Sequence, residues 1–529
     1  MEHSSEAFIH GSKLLLESRS DILVFSIIIL FGSTILYYVR QVFRSDLRSV
    51  PGPALAPWTA LYRPWMISDG LAHNFYRKLH SRYGPIVRTA PNVVSVSDPR
   101  AIPAIYAIGT KFYKANLFPH QATSSFYSVF DVEYRGGLMT SMFSSRDPAR
   151  HQSLRRPVAQ KFSMSSMKAL EPFADDCAEI FIRAMTEMEG QSIDLGEWLQ
   201  WYAFDVISAI TFQRRLGFME KQEDIEHMIE DIGNGFKFAT LAGQISLTPL
   251  WLLIKARELT AKFVPSVRSR NPLKTVVQFT EECINEYDQN PPGGDRPDFL
   301  GWLRKANTNG DFMPYPDLVN HLSNNFLAGS DTTAISLRAI LYYLTRDPIC
   351  YRKAQEEVDQ ADRDGMLSEN ITYAECLRLP YLQASMKEAM RCHPGVSFPL
   401  ERVVPAGGAD ICGVRLRPGT IVGINPVVIH HDKSIFGEDA TDFNPDRWLG
   451  SDHERIKYMD RHLFTFGYGS RSCIGKNISI MEMGKLIPQI LRHFHLEWAS
   501  TDKTWRVSNF WFARQEGLIF RLRVRDKTV

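Results

Sequence analysis

The chain has 529 residues, of which 44% are hydrophobic and 12% aromatic, which is enough to bury a large core and to enclose an apolar cavity. Lysine and arginine (61) nearly balance aspartate and glutamate (59), so the formal charge of +2 gives no support to nucleic acid or another polyanion as a partner. The seven cysteines are scattered without a C-x-x-C pair, which argues against a disulfide scaffold or a cysteine-rich zinc site and indicates a reducing compartment.

The first predicted element is an uncharged run of 18 residues from Ile22 to Val39. As a helix it would be roughly 27 Å long, about the hydrocarbon thickness of an endoplasmic reticulum bilayer. Bulky residues lead directly into Arg40, unlike the cleavage site of a secretory signal, and Arg44 and Arg48 follow. The sequence therefore predicts a retained transmembrane anchor over residues 22–39 of an endoplasmic reticulum protein, with residues 1–21 lumenal and the rest cytosolic.

A basic, proline-rich hinge is predicted at residues 40–57, because Pro51, Pro53 and Pro57 cannot continue a helix. Residues 58–529 then form one domain, which is larger than a single core usually supports. Extended segments are predicted near residues 86–96 and 403–425, and helices over most of residues 145–390. The predicted fold class is mainly α with smaller β-sheets (α+β), and a buried cofactor would explain the size of the domain.

A helix is predicted to start at Asp147-Pro148, with the aspartate as N-cap and the proline at the first helical position. This start places His151 and Arg155 four residues apart on one face. Taken alone, the two could also be an exposed pair on an ordinary helix.

A long helix is predicted over residues 317–346, ending at Asp347-Pro348. In its middle, Ala328-Gly329-Ser330-Asp331-Thr332-Thr333 interrupts the apolar pattern with a glycine and polar side chains. Thr332 can bond to a carbonyl one turn earlier and open the helix locally. The segment either bends the helix for packing or opens a groove over a cofactor, in which a hydroxyl and a carboxylate pass protons inward.

Two later segments carry paired charges. Glu388 and Arg391 lie three residues apart on one predicted helix face, which by itself is also common at protein surfaces. Arg447 follows in Pro445-Asp446-Arg447-Trp448, and Arg402 stands just before the strand-rich section.

The segment 466–475 matches the pattern F-x-x-G-x-R-x-C-x-G, which places Cys473 in register with Phe466, Arg471 and Gly475. Glycines let the chain approach a flat cofactor closely and offer amide donors to a thiolate that binds a metal. Arg471 can pair with an acidic group of that cofactor, and Phe466 can cover one of its faces. The alternative is a buried structural cysteine in a glycine-rich turn.

In this order, the motifs resemble those of the cytochrome P-450 superfamily, of the microsomal type. The resemblance covers essentially the whole chain after the hinge and implies the superfamily's fold. It also implies that the cofactor is haem b, with the Cys473 thiolate as the axial iron ligand that favours O–O cleavage.

The resemblance assigns roles to the other motif residues. Thr332 would stabilise activated oxygen, and Asp331 would connect the site to bulk protons. Glu388, Arg391 and Arg447 would form a buried structural network in which all three charges must be present. The residues that would contact the haem or its propionates, besides Cys473, are Arg471, His151, Arg155, Arg402, Phe466, Gly475 and Ala328.

The function implied is a membrane-anchored monooxygenase that takes electrons from NADPH through a cytochrome P-450 reductase. It would insert one oxygen atom of O₂ into a lipophilic small molecule. The amino-acid sequences of segments 402–408 and 443–449 resemble those of the fungal secondary-metabolism branch. The alternatives are a haem-thiolate isomerase or dehydratase that needs neither O₂ nor reductase, and a haem sensor, both disfavoured by the intact motifs. The basic side chains expected either to dock the reductase or to form a solvated face are Arg150, Arg156, Lys161 and Lys476.

Substrate contacts are less defined by the sequence. Aromatic residues in 112–143, 396–400 and 510–512 could line a cavity or pack in an ordinary core. The apolar segment 239–254 could dip into a bilayer or form a buried helix pair.

Overall fold

The computed structural model describes residues 42–114, 125–244, 272–291, 293, 297–305, 307–308 and 311–526, with isolated positions between 28 and 40. The predicted anchor at 22–39 lies largely outside these residues, as do Phe118 and most of the apolar segment 239–254. Among the helices within the described ranges, none combines the length and the apolar character needed to cross a bilayer.

Helices dominate the described part of the domain, as predicted. In chain order they are α1 (Tyr62–Ile67), α2 (Ala72–Tyr83), α3 (Ala101–Tyr106), α4 (Pro148–Arg155), α5 (Met164–Met167), α6 (Glu171–Glu187), α7 (Leu195–Phe212), α8 (Phe218–Lys221), α9 (Met228–Gly243), α10 (Pro272–Gln289), α11 (Phe299–Arg304), α12 (Tyr315–Arg346), α13 (Pro348–Arg363), α14 (Tyr373–Cys376), α15 (Pro380–Cys392), α16 (Pro426–Ile429), α17 (Lys433–Phe436), α18 (His453–His462) and α19 (Lys476–His493).

The strands are short and form several small sheets. They are β1 (Ile86–Ala90), β2 (Val93–Val96), β3 (Val132–Tyr134), β4 (Gly137–Met139), β5 (Ser192–Asp194), β6 (Asn307–Thr308), β7 (Asp311–Phe312), β8 (Arg402–Val403), β9 (Ala409–Ile411), β10 (Val414–Leu416), β11 (Ile421–Ile424), β12 (Phe494–Trp498), β13 (Arg506–Phe510), β14 (Phe512–Glu516) and β15 (Ile519–Val524). The largest sheet has the order β1-β2-β11-β8, in which β11 runs parallel to β2 and antiparallel to β8. A second sheet has the order β12-β15-β5, and β13 pairs with β14 as a hairpin.

Helix α12 lies at the centre of the helical layer. It packs along much of its length against α7, which is buried almost throughout, and it also contacts α10, α15 and α19. A Cβ atom on Gly329 would lie 2.6 Å from Cδ1 of Ile207 on α7, so this glycine permits close packing of the two helices. The glycine therefore has a packing role, within a helix that continues without interruption from Tyr315 to Arg346.

Two predicted helix boundaries coincide with caps in the structure. The Asp147 carboxylate accepts from the amides of Ala149 (2.9 Å) and Arg150 (3.3 Å) at the start of α4. Helix α12 ends at Arg346 as predicted, and Asp347 caps the helix that follows.

The predicted charge network is buried. Glu388 on α15 accepts two hydrogen bonds from Arg391 (2.7 and 2.9 Å) and one from Arg447 Nε (2.8 Å). Trp448 Nε1 donates to the same carboxylate at 2.9 Å. All three charges pair, so the prediction that they act together is confirmed, and the tryptophan is an additional partner.

Candidate active site

The Cys473 loop runs from the end of α18 into the start of α19. The Cys473 amide donates to the Phe466 carbonyl at 2.8 Å, which closes the loop. Gly469 has φ +63°, and a Cβ there would lie 1.9 Å from the Tyr106 carbonyl oxygen, so this turn requires glycine. The loop is thus shaped by its backbone and holds Cys473 at the N-terminal end of a long helix.

Cys473 is an exposed residue whose thiol is nevertheless affected by burial. Burial raises its pKa, while the backbone amides of Gly475 and Lys476, which hydrogen-bond the thiol, oppose that rise. The residue is nevertheless exposed. A Cβ on Gly475 would meet no atom of the described chain within 4 Å. Cys473 is therefore accessible, with amide donors in place for a thiolate.

Helix α12 is fixed beside this loop by a hydrogen bond between Thr333 Oγ1 and Ser479 Oγ of α19 (2.8 Å). The Thr332 hydroxyl instead donates to the Ala328 carbonyl at 2.8 Å, as predicted for a locally opened helix. Ala328 is exposed and Thr332 half-buried, although both lie in the middle of the central helix. The side of α12 that carries Ala328 and Thr332 is therefore accessible, which is compatible with the predicted groove.

The three arginines and the histidine predicted to hold an acidic cofactor lie close together. The pKa of His151 is lowered to about 3 by burial and by the charges of Arg471, Arg155, Lys114 and Arg402. Arg155 donates to the Ser472 carbonyl (3.0 Å) and Arg471 to the Ser145 carbonyl (2.8 Å). Arg402 donates to Tyr127 Oη at 3.2 Å.

Lys114 is a fifth basic residue of this cluster, and the sequence analysis missed it. It is buried, donates to the Phe143 carbonyl and lies 3.8 Å from the Tyr127 ring centroid. Burial lowers its pKa well below the usual value, and Arg402 and Arg471 lower it further. The available signal was a lysine inside the aromatic run Phe112-Tyr113-Lys114, which was interpreted only for its rings.

These observations fit a flat cofactor that carries two carboxylates and takes a thiolate ligand. Mutually repelling buried cations are unfavourable unless an anion lies among them. The accessible sulfur, the open side of Gly475 and the accessible Ala328 leave room for such a group.

Asp331 is buried and turned toward α7. Gln200 Nε2 donates to its carboxylate, and burial raises the pKa of Asp331 against the opposing effects of Arg514, Gln200 and Arg338. The Arg338 guanidinium donates twice to the Gly196 carbonyl (2.6 and 2.9 Å). Gln200 was not predicted, and its only sequence signal was a polar residue in an apolar helix.

The candidate cavity aromatics pack largely on one another. Phe126, Phe130, Phe143 and Trp511 form a cluster with ring centroids 4.8–6.3 Å apart. Core packing is therefore the observed role of these rings.

The four basic residues considered for docking differ in their surroundings. Arg150 pairs with Asp317 at 2.5 Å. Lys161 lies 5.5 Å from the Trp302 ring centroid, whereas Arg156 and Lys476 are exposed.

Comparison with known proteins supplies the family. The family model described as Cytochrome P450 matches residues 51–520. The cytochrome P450 monooxygenase cicH of Emericella nidulans is 36% identical over 495 residues, which cover 93% of this chain and 96% of the relative. The monooxygenase gsfF of Penicillium aethiopicum is 32% identical (95% and 99% covered), and pisatin demethylase of Fusarium vanettenii is 34% identical (91% and 90%).

Proposed function

The chain belongs to the cytochrome P450 family and is a haem-dependent monooxygenase, and on that premise we propose a more specific function. It is a membrane-anchored enzyme of the endoplasmic reticulum that oxidises a lipophilic small molecule in fungal secondary metabolism. Electrons come from NADPH through a separate cytochrome P450 reductase. The names of the relatives, which are monooxygenases, favour this function over an isomerase or dehydratase.

The observation that carries the site assignment is the exposed Cys473 beside a cluster of five basic residues, Arg155, Arg402, Arg471, Lys114 and the neutral His151. Cys473 would bind the haem iron through its thiolate, and Phe466, Gly475 and Ala328 would contact the haem. Its propionates would be held by Arg471, His151, Arg155, Arg402 and Lys114. When bound, thiolate-ligated haem supplies the activation of O₂.

Thr332 and Asp331 deliver protons to the oxygen-binding side of the groove. The accessible Thr332 hydroxyl holds a proton at the groove, where it can exchange its bond to the Ala328 carbonyl for a bond to a ligand. Asp331 is held by Gln200, and its raised pKa favours a bound proton. We expect Asp331 to turn from Gln200 when it transfers that proton.

Membrane attachment is supported by the uncharged run at residues 22–39 and by the surface that follows it. Phe43, Trp58, Leu61 and Trp65 are each more than half exposed in the described structure. Exposed tryptophans of this kind suit the interface of a bilayer. Removal of residues 1–39 should shift the protein from the microsomal pellet toward the soluble fraction, and a full-length chain found in the soluble fraction would contradict the proposal.

The reductase docks on the face that carries Arg156 and Lys476, which are exposed and available to an acidic partner. Charge reversal of both should slow reductase-dependent NADPH oxidation most strongly at low ionic strength, because exposed charges are screened by salt. An unchanged rate at low salt would contradict this docking face.

The central experiment is the spectrum of the reduced protein with CO. The full chain should give a Soret band at about 450 nm, as expected for thiolate-ligated haem. Cys473→Ala should abolish this band, whereas Cys412→Ala, at a half-buried cysteine outside the site, should retain it. A band that survives in Cys473→Ala would refute the ligand assignment, and turnover with peroxide alone would refute the reductase-dependent reaction. A comparison of metabolites from strains with and without the protein would identify the substrate.

A further inference from the structure

A cleft of about 700 Å³ lies between α2, α12, the end of α15 and β13, away from the Cys473 loop. Its lining includes His73, Arg77, Tyr342, His431 and Trp505, and we name it the Arg77 cleft. None of the residues assigned to haem binding or proton delivery lines it. Tyr342 is ten residues beyond Thr332, or about 15 Å along helix α12.

Arg77 is the positive charge on the wall of this cleft. The guanidinium is half-buried, and within the described residues it makes neither a hydrogen bond nor an ion pair. Burial lowers the pKa of Arg77, and the ionisable groups that oppose this, Tyr343 and Cys392, are uncharged at neutral pH. Arg77 therefore lines the cleft with five N–H donors for which the described chain supplies no acceptor.

The histidines around Arg77 do not add charge. Burial lowers the pKa of His73 and His393 to about 4 and that of His431 to about 3, with Arg77 adding to the effect on His73 and His431. All three imidazoles are neutral at pH 7 and can act as hydrogen-bonding groups. His73, one helical turn before Arg77, has a buried Nδ1 with no partner in the described structure.

An aromatic surface forms the other side of the cleft. The Trp505 and Tyr342 rings are stacked, with centroids 3.7 Å apart and planes at 15°. The His393 ring lies 4.9 Å from Trp505. The remaining charges, Asp69, Arg506 and Glu516, are exposed on the lining and of mixed sign.

We propose that the Arg77 cleft binds a small organic carboxylate that carries a flat apolar ring. A guanidinium with free N–H groups matches a carboxylate in bidentate geometry, and the unpartnered His73 nitrogen offers an additional polar contact. The stacked aromatic surface matches the ring. The volume is in the range of small-molecule sites, roughly 300–1,000 Å³, and exceeds what an inorganic anion needs.

The test is equilibrium dialysis of 2-naphthoate against the full-length holoenzyme, with an azole bound to the haem iron so that the distal cavity is blocked. We expect saturable binding with one site per chain. Arg77→Met should weaken it about 10- to 100-fold, the effect of losing a charged hydrogen-bonded pair. Arg506→Met, at the exposed arginine of the same cleft, is the matched control and should leave the affinity within a factor of two.

The ligand class is tested with three further probes on the same protein. Naphthamide lacks the charge, and acetate lacks the ring. Inorganic phosphate is an anion with neither a carboxylate group nor a ring. Each should bind at least about tenfold more weakly than naphthoate. The proposal is overturned if naphthoate does not bind at millimolar concentration, if Arg77→Met binds it as well as the natural chain, or if any of the three probes binds equally well. An unchanged CO spectrum of Arg77→Met shows that the variant is folded.

Discussion

Replacing Glu388 by glutamine tests whether the buried charge network of Glu388, Arg391 and Arg447 is required for stability. The carboxylate is fully buried and accepts five hydrogen bonds, from the Arg391 and Arg447 guanidiniums, the Trp448 indole and the Asn444 amide. Glutamine keeps the shape of the side chain but removes its negative charge. Its amide N–H groups would also be directed at the N–H groups that donate to Glu388. The buried Arg391 would then lack a counter-ion, and Arg447 would keep only its pair with the half-exposed Asp439 (3.0 Å).

Breaking a buried ion pair from one side typically costs about 3–5 kcal/mol, because the remaining charge stays buried. We therefore expect the free energy of unfolding of Glu388→Gln to fall by about that amount. Urea denaturation monitored by tryptophan fluorescence measures the change, and the CO spectrum reports whether the thiolate-ligated haem survives.

Glu438→Gln is the matched control, because Glu438 pairs with Lys433 at the surface and its side chain is 90% exposed. Its unfolding curve should coincide with that of the natural chain, since exposed pairs contribute little. A loss of less than about 1 kcal/mol in Glu388→Gln, with an unchanged spectrum, would refute the buried-charge argument.

Three further predictions concern residues that only the structure brought forward. Lys114→Met should speed haem transfer to excess apomyoglobin by about tenfold, because a positive charge beside the propionates is lost. Lys111→Met, at an exposed neighbouring lysine, should leave the transfer rate unchanged. Equal rates for the two variants would exclude Lys114 from the haem site. Gln200→Leu should change the fraction of NADPH electrons lost as peroxide and the solvent deuterium isotope effect, because it frees the Asp331 carboxylate; identical values would rule out a positioning role. Burial raises the pKa of Glu482 well above its usual 4.5, so the folded chain keeps a proton that the unfolded chain releases, and stability decreases as pH rises above 4.5. The natural chain should therefore lose stability relative to Glu482→Gln between pH 5 and 7, by at most about 1.4 kcal/mol per pH unit, and a pH-independent difference in paired denaturation curves would contradict the buried protonated carboxyl.

Local signals were sufficient for several predictions. The cap at Asp147 and the end of the central helix at Arg346 depend on neighbouring residues alone, since a capping carboxylate and a proline act over a few positions. The Cys473 loop was recognisable because its residues lie within ten positions of one another.

Other features required contacts between distant segments. Glycine at position 329 allowed two interpretations in the sequence. The structure shows that Ile207 packs against it and that Ala328 on the same helix is exposed. Lys114 and Gln200 emerged only from the structure, because the charge of Arg402 acts on Lys114 and Gln200 hydrogen-bonds Asp331, each far along the chain.

The sequence by itself determined the family, the cofactor and the mainly helical fold. The reason is that the thiolate loop, the helix with an internal acid and hydroxyl, and the triad of charges can each be recognised from short motifs. The tertiary structure decided which basic residues gather near Cys473, where the Asp331 carboxylate lies, and that Arg77 lines a cleft without a counter-ion among the described residues. These depend on burial and on distances between segments far apart along the chain. Burial and through-space charge set the pKa values and the unpaired donors, and neither is a property of a local run of residues.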